Sequence, residues 1–555
     1  MSAYLSLFTP QEKGKSQEIK KISEPPPTAT PSVDVISDKK PAAGEETKAS
    51  YNLSPSKTPT PERDLGLKKE EAETEEAVGD VTNERWAWFR NIFEKIVVFG
   101  RVELRGVTPI PVKERTQTQT INIFTLWWSM NTNILPISFG MLAPLYGLNL
   151  RNASLVILFF ILLTTTLPAY LCTLGPKIGM RQMLQARYSF GRYLVGIPVL
   201  LNLATMTGFC VIICVVGGQC LSAVADGDLS VAVGIVIMAI LTLVISFCGY
   251  RVLHLYEKFA WIPAVIALAV AAGTGGKDLK NQIDYDEKPN AKAVLTYGML
   301  LAGYMIPWAC LASDFSTYLK PDTSSLKIFS YSYFGLAIPP ILLMILGAAI
   351  GNATPLNPVW QAAYEQTQVG GVLDAMLHPA KGFGKFLVVV LSFSLLGNLA
   401  ATSYSVTLNL QLLFPILAWV PRYLFSIVFV AIVIPVAIRA AGDFFYNLEN
   451  FLGLIGYWSS AFLGVVLVEH FWFRKGNCAE YDPEVWDDAK SLPWGVAALA
   501  SAVLSFGLVI PCMDQVWWTG PIAERTGDIG FEVAFVVTGL LYVPLRTLER
   551  RLAGR

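Results

Sequence analysis

Charged side chains are scarce in this chain, and their scarcity argues against several classes of protein. Only 15% of the 555 residues are Asp, Glu, Lys or Arg, whereas soluble domains contain about 25%. Lys plus Arg and Asp plus Glu number 43 each, so no global basic signature indicates binding of nucleic acid. Because 53% of the residues are hydrophobic, the composition predicts an integral membrane protein embedded in the lipid bilayer.

Sequence motifs for metal binding and for enzymatic chemistry are also missing. The three histidines are too scattered for a metal cluster, and the eight cysteines follow no zinc or disulfide spacing. The sequence contains no HExxH pair, P-loop or nucleophile elbow. We therefore expect a protein that is not an enzyme and that has neither a resident metal nor a cofactor.

The hydrophobic residues begin well inside the chain, which divides it into four parts. Residues 1–84 are rich in Pro, Ser, Thr, Glu and Lys, and we expect a disordered cytoplasmic N-terminal tail because such a segment buries little apolar surface. Residues 85–120 are predicted to be a juxtamembrane amphipathic segment. Residues 121–548 form the predicted membrane domain, and residues 549–555 form a short cytoplasmic C-terminal tail.

The membrane domain contains about twelve apolar runs that are long enough to cross a bilayer as helices. These predicted spans are residues 121–146, 150–173, 193–224, 229–249, 253–273, 293–318, 328–350, 384–411, 420–438, 446–472, 492–512 and 530–547. An even number of spans puts both termini on one side of the membrane. The basic loops, such as the one from Lys177 to Arg192, fall on that same side, and the positive-inside rule assigns it to the cytoplasm.

Two short sequence matches indicate an internal repeat. Phe190–Val195 opens span 3, and the similar run Phe383–Val388 opens span 8, 193 positions later. Tyr256–Phe259 opens span 5, and Leu448–Phe451 opens span 10, 192 positions later. Spans that are five apart cross the membrane in opposite directions, so the two halves are predicted to be inverted copies.

Spans 1 and 6 contain residues that a continuous helix does not favour. Span 6 includes Gly303 and Pro307 near its middle and the carboxylate of Asp314 before its end, and span 1 includes the run Asn131–Gly140 with its own proline. Proline removes a backbone donor, and backbone groups freed at membrane depth need partners in protein or water. Because secondary transporters bind substrates at such broken helices, both spans are predicted to be discontinuous and to form the site.

Trp308 lies at the predicted break of span 6 and is the leading candidate for stacking on a flat heterocyclic substrate. The alternative is a tryptophan at the membrane interface, but its position in the middle of the span argues against that. Phe209 in span 3 is a second candidate, expected to form a wall of the substrate site. The repeat offset of 193 relates it to Thr402 in span 8. Asn398 could read the edge of the ring with its amide, or it could bond a neighbouring helix.

Further candidates are polar residues inside the other parts of the spans. Ser138, Asn131 and Asn133 belong to the predicted break of span 1 and are expected to contact the substrate. Asp314 is the ionisable residue nearest to a break, and an acid at membrane depth is a functional hypothesis by default. We therefore predict that Asp314, with Ser403 in span 8, couples transport to a cation, the alternative for Asp314 being a local ion pair.

Several short motifs are typical of one transporter family. They are Arg105–Pro111 with Glu114–Thr116, Gly179–Met183 with Ala186–Gly191, Gly217–Gln219, Ala312–Phe315 and Gly456–Trp458. From about Glu103 to Arg550, the chain resembles the nucleobase–cation symporter-1 family, and most closely its fungal purine–cytosine permease branch. The resemblance implies an all-α membrane protein of LeuT type, with five plus five inverted spans, discontinuous spans 1 and 6, and two extra spans.

The resemblance also implies roles for individual residues. Trp308 matches the stacking tryptophan of the sixth span, Phe209 takes the place of a stacking tryptophan in the third, and Asn398 matches a substrate-reading asparagine. Two positions depart from the pattern, because Ile213 and Thr402 occur where the permeases have polar residues that read the edge of the ring. An ordinary preference for adenine and cytosine is therefore in question.

The expected function is uptake of a nucleobase-like planar N-heterocycle, such as cytosine or a purine, by cation symport across the plasma membrane. The cation is expected to be H⁺, because Leu396 and Gly397 occupy positions where sodium-linked relatives have hydroxyl groups. One alternative is transport of another heterocycle, such as a form of vitamin B6, an allantoin-like compound or a secondary metabolite. A second alternative is a nutrient sensor that binds its ligand without net transport.

Overall fold

The computed structural model describes residues 108–226, 228–247, 261–283, 285, 289–414 and 422–554. They all belong to one compact helical unit, which also includes a short antiparallel hairpin of Asp514–Gln515 and Trp518–Thr519. The predicted N-terminal tail, residues 1–84, and most of the predicted amphipathic segment, residues 85–120, lie outside the described residues.

Each predicted hydrophobic span contains a described helix. The bounds are Ile121–Asn131 and Leu135–Gly140 for span 1, then Leu150–Cys172, Gly196–Val224, Val231–Phe247, Trp261–Thr274, Ala291–Met305, Ser325–Ala353, Lys381–Leu413, Arg422–Ala440, Phe444–Val468, Val496–Val509 and Gly530–Ala553 for spans 2 to 12. Within the described ranges, seven helical stretches are long and apolar enough to cross a membrane, and four shorter helices are also apolar. The expected all-α membrane fold is therefore confirmed.

Short helices connect and extend the spans. The short α-helices are Leu174–Ile178, Gln182–Gln185, Arg187–Phe190 and Ala523–Thr526, and a π-helical turn covers Glu469–Phe473. The 3₁₀ turns are Val112–Glu114, Ala143–Tyr146, Asp278–Lys280, Ile306–Cys310, Ala312–Phe315, Thr354–Leu356, His378–Ala380, Ala441–Asp443, Cys478–Glu480 and Ile510–Cys512. A further helix, Pro358–Leu377, precedes span 8; its glutamine-rich sequence was not predicted as a span, and it bends at Thr367 and Gln368.

Span 1 is interrupted because asparagine side chains replace the missing helical hydrogen bonds. Thr132 leaves the helical conformation, with φ −89° and ψ 73°. Asn133 then accepts a hydrogen bond on Oδ1 from the amide of Leu135 at 2.9 Å, and its Nδ2 donates to the carbonyl of Met130 at 2.9 Å. Side-chain bonding of this kind competes with the helix ladder and stabilises the break.

Span 6 is interrupted at its proline. The α-helix ends at Met305, and the chain continues as the 3₁₀ turns Ile306–Cys310 and Ala312–Phe315. Pro307 has no amide hydrogen and sits in the first turn of the first 3₁₀ segment, where its missing donor costs least. The predicted discontinuity of spans 1 and 6 is therefore confirmed.

Close packing of backbone holds the second half of span 1 in place. A Cβ atom on Gly140 would lie 2.0 Å from the carbonyl oxygen of Met344 in span 7, and one on Gly347 would lie 2.2 Å from the carbonyl oxygen of Ile137. Helices in membranes associate through such small residues because lipid supplies little hydrophobic driving force between them. Span 7 thereby fixes one side of the break.

Candidate substrate site

A small cavity lies where the breaks of spans 1 and 6 meet spans 3 and 8. It is lined by Leu135, Asn202, Thr205, Met206, Phe209, Ile213, Tyr304, Pro307, Trp308, Leu311, Asn398 and Thr402. The free space in the cavity is about 30 Å³. The walls therefore lie close together in this structure and leave little free space between them.

Trp308 forms one wall of the cavity and is held by a second tryptophan. Trp127 of span 1 packs edge-on against it, with ring centroids 5.7 Å apart and planes at 80°. Trp127 is itself backed by Phe315 at 4.7 Å. The indole Nε1 of Trp308 is buried and has no hydrogen-bond partner among the described residues. Trp308 therefore offers both an aromatic surface and an unused donor to a ligand.

Phe209 lines the same cavity from span 3 and is covered by span 10. Its ring meets the ring of Phe451 edge-on at 5.4 Å. Gly208 permits this approach, because a Cβ atom there would lie 2.1 Å from the Phe451 ring. One turn later, the buried side chain of Ile213 adds an apolar surface to the wall.

Asn398 and Thr402 connect span 8 to the break of span 1. Asn398 donates from Nδ2 to the carbonyl oxygen of Met130 at 3.0 Å, and it accepts on Oδ1 from the hydroxyl of Thr402 at 3.1 Å. A side-chain amide has two hydrogens and two lone pairs, so these bonds leave one donor and one acceptor on Asn398. The remaining pair matches an N–H and C=O on the edge of a heterocycle.

The other predicted substrate residues point into the protein around the break. Asn131 donates to the carbonyl of Trp127 at 2.9 Å and accepts from the hydroxyl of Tyr304 at 2.7 Å. Asn133 bonds only the backbone of the break in the hydrogen bonds described above. Ser138 is fully buried, and its Oγ has no partner within the described part of the chain. The structure does not bring these three side chains to the cavity lining.

Asp314 lies in a second pocket, apart from the first. This pocket is lined by Arg181, Met183, Leu184, Asp314, Leu408, Asn409 and Leu412. The Asp314 carboxylate is buried and accepts a hydrogen bond on Oδ1 from the amide of Gln182 at 2.7 Å. Ser403 is buried in span 8, where its carbonyl accepts from the hydroxyl of Thr407 at 3.2 Å, and it lines neither pocket.

Four polar or large residues of the cavity were missed by sequence reasoning. In span 3, Asn202 and Met206 precede Phe209 by seven and three positions, which puts them on its face of the helix. Tyr304 precedes Trp308 by four positions and lies on the same wall. These residues could have been found from their helical spacing to Phe209 and Trp308. The fourth, Thr205, directly precedes Met206 and also lines the cavity.

Two interrupted helices that meet at a cavity inside an apolar helix bundle define a membrane transporter of LeuT type. A solved structure with this fold is that of MHP1, described as a nucleobase-cation-symport-1 family transporter in a closed conformation with bromovinylhydantoin bound. It aligns with a TM-score of 0.60 at 17% identity and covers 81% of this chain and 97% of its own. The comparison establishes the fold.

The family profile for "Permease for cytosine/purines, uracil, thiamine, allantoin" matches residues 109–483. The purine-cytosine permease fcyB of Emericella nidulans is 31% identical over 490 residues, 86% of this chain and 95% of the relative. The chain therefore belongs to the nucleobase–cation symporter-1 family, in its fungal purine–cytosine permease branch. The vitamin B6 transporter TPN1 of Saccharomyces cerevisiae is 27% identical over 529 residues, 85% of this chain and 91% of the relative.

Proposed function

We propose that this multi-pass membrane protein is a secondary active transporter that imports a nucleobase-like planar N-heterocycle, such as cytosine or a purine, by alternating access. The observation that carries the proposal is the shared cavity at the two helix breaks. There Trp308 and Phe209 supply aromatic walls, and Asn398 supplies a donor and an acceptor. Flat rings that carry amide-like edges match this combination of stacking surface and paired polar atoms.

The narrow cavity supports a mechanism in which the walls move. With about 30 Å³ of free space between the walls, the ring enters while the site is open to one side of the membrane. Closure then brings Trp308 and Phe209 onto the ring, and reopening on the other side releases it. The hydrogen bond between Asn398 and Met130 joins span 8 to span 1, so substrate bound at Asn398 acts directly on the break.

We assign coupling to a proton, with Asp314 as the group that takes it up, and we place the protein in the plasma membrane with both termini in the cytoplasm. Asp314 is a buried carboxylate whose pocket adjoins span 8. In span 8, the buried Leu396 and the neighbouring Gly397 offer no hydroxyl groups for sodium. The basic loops gathered on one side of the predicted topology support the orientation.

Uptake measurements in a yeast strain without its own nucleobase transporters test the function. We expect cells expressing the chain to accumulate labelled cytosine or adenine, and we expect a protonophore to abolish the accumulation. A panel of unlabelled purines, pyrimidines and vitamins then ranks the substrates by competition. Normal surface abundance with no accumulation of any ring in the panel would contradict the proposal.

A second candidate function is transport of another heterocycle, such as a form of vitamin B6. The apolar Ile213 and the short Thr402 side chain reduce the number of polar groups that read the ring edge. A site with fewer such groups discriminates less strongly among rings. Pyridoxine in the same panel separates the two functions, because it would compete more strongly than cytosine only if this second candidate were correct.

A further inference from the structure

A second, more polar cavity lies at the ends of spans 10 and 12, and it shares no residue with the substrate cavity. It has a volume of about 220 Å³. Its charged wall includes Arg474, which follows span 10, and Arg546 and Arg550 of span 12. We call it the arginine cavity after these three residues. The loop between spans 10 and 11 covers it. The transport cycle proposed above uses none of these residues.

The carboxylate inside this arginine cavity is already neutralised by protein. Glu469 Oε1 pairs with Arg474 Nη2 at 3.0 Å, and its Oε2 pairs with Arg546 Nε at 3.2 Å. Arg546 also pairs through Nη1 with Glu549 Oε2 at 2.9 Å. Two guanidinium groups are thus balanced by two carboxylates, and Arg550 is the cation of the lining that lies outside these pairs.

Two guanidinium groups of the arginine cavity retain unused capacity. Arg550 has no carboxylate within ion-pair distance in the part of the chain that the structure describes, and its guanidinium lies over the Phe473 ring at 5.8 Å. Arg474 is mostly buried, yet its Nε has no hydrogen-bond partner among the described residues. Glu480, the other acid of the lining, is exposed at the rim. Arg550 is exposed, whereas the free Nε of Arg474 is buried, and a buried donor of this kind favours an anion as its missing partner.

The walls of the arginine cavity are fixed without a ligand. Asp487 of the covering loop pairs with Arg187 at 2.6 Å and with Arg192 at 2.9 Å. The amide of Val496 donates to Glu549 Oε1 at 3.1 Å. These contacts fasten the loop to the segment after span 2 and to span 12. The cavity is therefore a preformed site.

The apolar surface beside the arginine cavity indicates that it lies at the depth of lipid headgroups. Phe471 and Trp472 are exposed on the π-helical turn of span 10, directly before Phe473 and Arg474 of the cavity wall. Tryptophan is enriched at membrane interfaces, where its ring reaches the headgroup region. Because Arg550 is exposed at the same cavity, an anionic lipid headgroup can reach it.

We propose that the arginine cavity binds a phosphate-bearing anion, and that its source is an anionic phospholipid headgroup. The phosphate lies between Arg474 and Arg550. The Nη atoms of Arg474 already donate to Glu480, Tyr188 and Glu469, so its free Nε donates one charge-assisted hydrogen bond, and the Arg550 guanidinium binds the phosphate bidentately. A bound phosphate links span 10 to span 12. The same chemistry would accept free phosphate from solution, and the two sources are separated by experiment.

Native mass spectrometry of the purified full-length protein tests the site. The lipid probe is dioleoylphosphatidic acid, compared with dioleoylphosphatidylcholine at the same mole fraction in detergent. We expect Arg550→Gln to reduce the fraction of protein carrying phosphatidic acid by roughly tenfold, since a charge-assisted hydrogen bond is lost. The matched control is Arg551→Gln, which removes the neighbouring exposed arginine outside the cavity and should bind like the unmodified chain. Arg550→Lys keeps the charge but loses the planar fork, and intermediate binding is expected.

A parallel arm measures the Tm of the same proteins with inorganic phosphate, using chloride at matched ionic strength as the reference. A rise of about 3 °C that Arg550→Gln abolishes, without any preference for phosphatidic acid, would keep the phosphate site and reject the lipid as its source. Equal losses of lipid binding in Arg550→Gln and Arg551→Gln would overturn the proposal, because lipid binding would then depend on general surface charge and not on the cavity. Failure of both probes to bind would also overturn it.

Discussion

Asn202 of span 3 donates a hydrogen bond from Nδ2 to Oδ1 of Asn409 in span 8, at 3.2 Å, and both side chains are buried. Asn202 lines the substrate cavity, whereas Asn409 lines the pocket that holds Asp314. The amide pair therefore stands between the proposed substrate site and the proposed coupling carboxylate.

Disrupting this amide pair should weaken the coupling of transport to protons. Asn202→Leu and Asn409→Leu each leave one buried amide without its partner, at a cost of about 1–3 kcal/mol in the free energy of unfolding. The double variant replaces both groups by apolar ones and should regain much of that stability. We expect the double variant to bind substrate but to accumulate it poorly against a gradient. Recovery of accumulation together with stability would show that the pair is only structural.

Replacing Asn398 should weaken binding of rings that present an amide-like edge. Loss of a buried hydrogen bond of about 1–3 kcal/mol predicts that Asn398→Ala raises KM for cytosine or adenine by roughly 5-fold to 150-fold. Thr402→Val is the matched control, because it keeps the shape of the wall and removes only the hydroxyl that donates to Asn398. Its KM should change less. Equal KM values for all three proteins in uptake assays would remove Asn398 from the site.

Much of the fold could be predicted from sequence because its signals are local. Spans were recognised from apolar length, and the break of span 6 from Pro307, which lacks a backbone donor wherever it is placed. The repeat offset related Phe209 to Thr402, and the structure places both on the lining of one cavity.

The orientation of polar side chains could not be predicted in the same way. Asn131 and Asn133 were chosen as substrate residues because they lie at a break, but carbonyls of their own helix are within reach and take their amides. Asn202 was missed because a single amide in an apolar run does not reveal which helix face it occupies. Its bond to Asn409 depends on packing between helices that are distant in sequence.

The contact between spans 1 and 7 should tolerate no added volume. Gly347→Ala places a methyl group against the carbonyl oxygen of Ile137, and overpacking of this kind costs about 1–3 kcal/mol in the free energy of unfolding. Gly507→Ala in span 11 is the matched control, since nothing described lies within 4 Å of the added atom. We expect a lower Tm and lower surface abundance for Gly347→Ala only. Equal Tm values would show that span 7 yields easily at this contact.

Deleting residues 1–80 distinguishes a transporter from a sensor. The proposed substrate cavity is lined only by residues between Leu135 and Thr402, so the shortened chain should keep the KM and the rate of uptake per molecule at the surface. A sensor that signals through this segment would instead lose its output. Uptake normalised to surface abundance decides between them, and loss of uptake in a properly inserted shortened chain would contradict the transporter account.

The central claim is that Trp308, at the break of span 6, holds a flat ring in the substrate cavity. Its most direct test uses the heterocycle that competes most strongly in the panel described above. Accumulation of this compound is measured for Trp308→Ala and Trp308→Phe. Trp517→Ala, which removes an exposed tryptophan on the hairpin, is the control. We predict that Trp308→Ala abolishes accumulation at normal surface abundance, that Trp308→Phe retains part of it through stacking, and that the control is unaffected. Unimpaired accumulation by Trp308→Ala would contradict the claim.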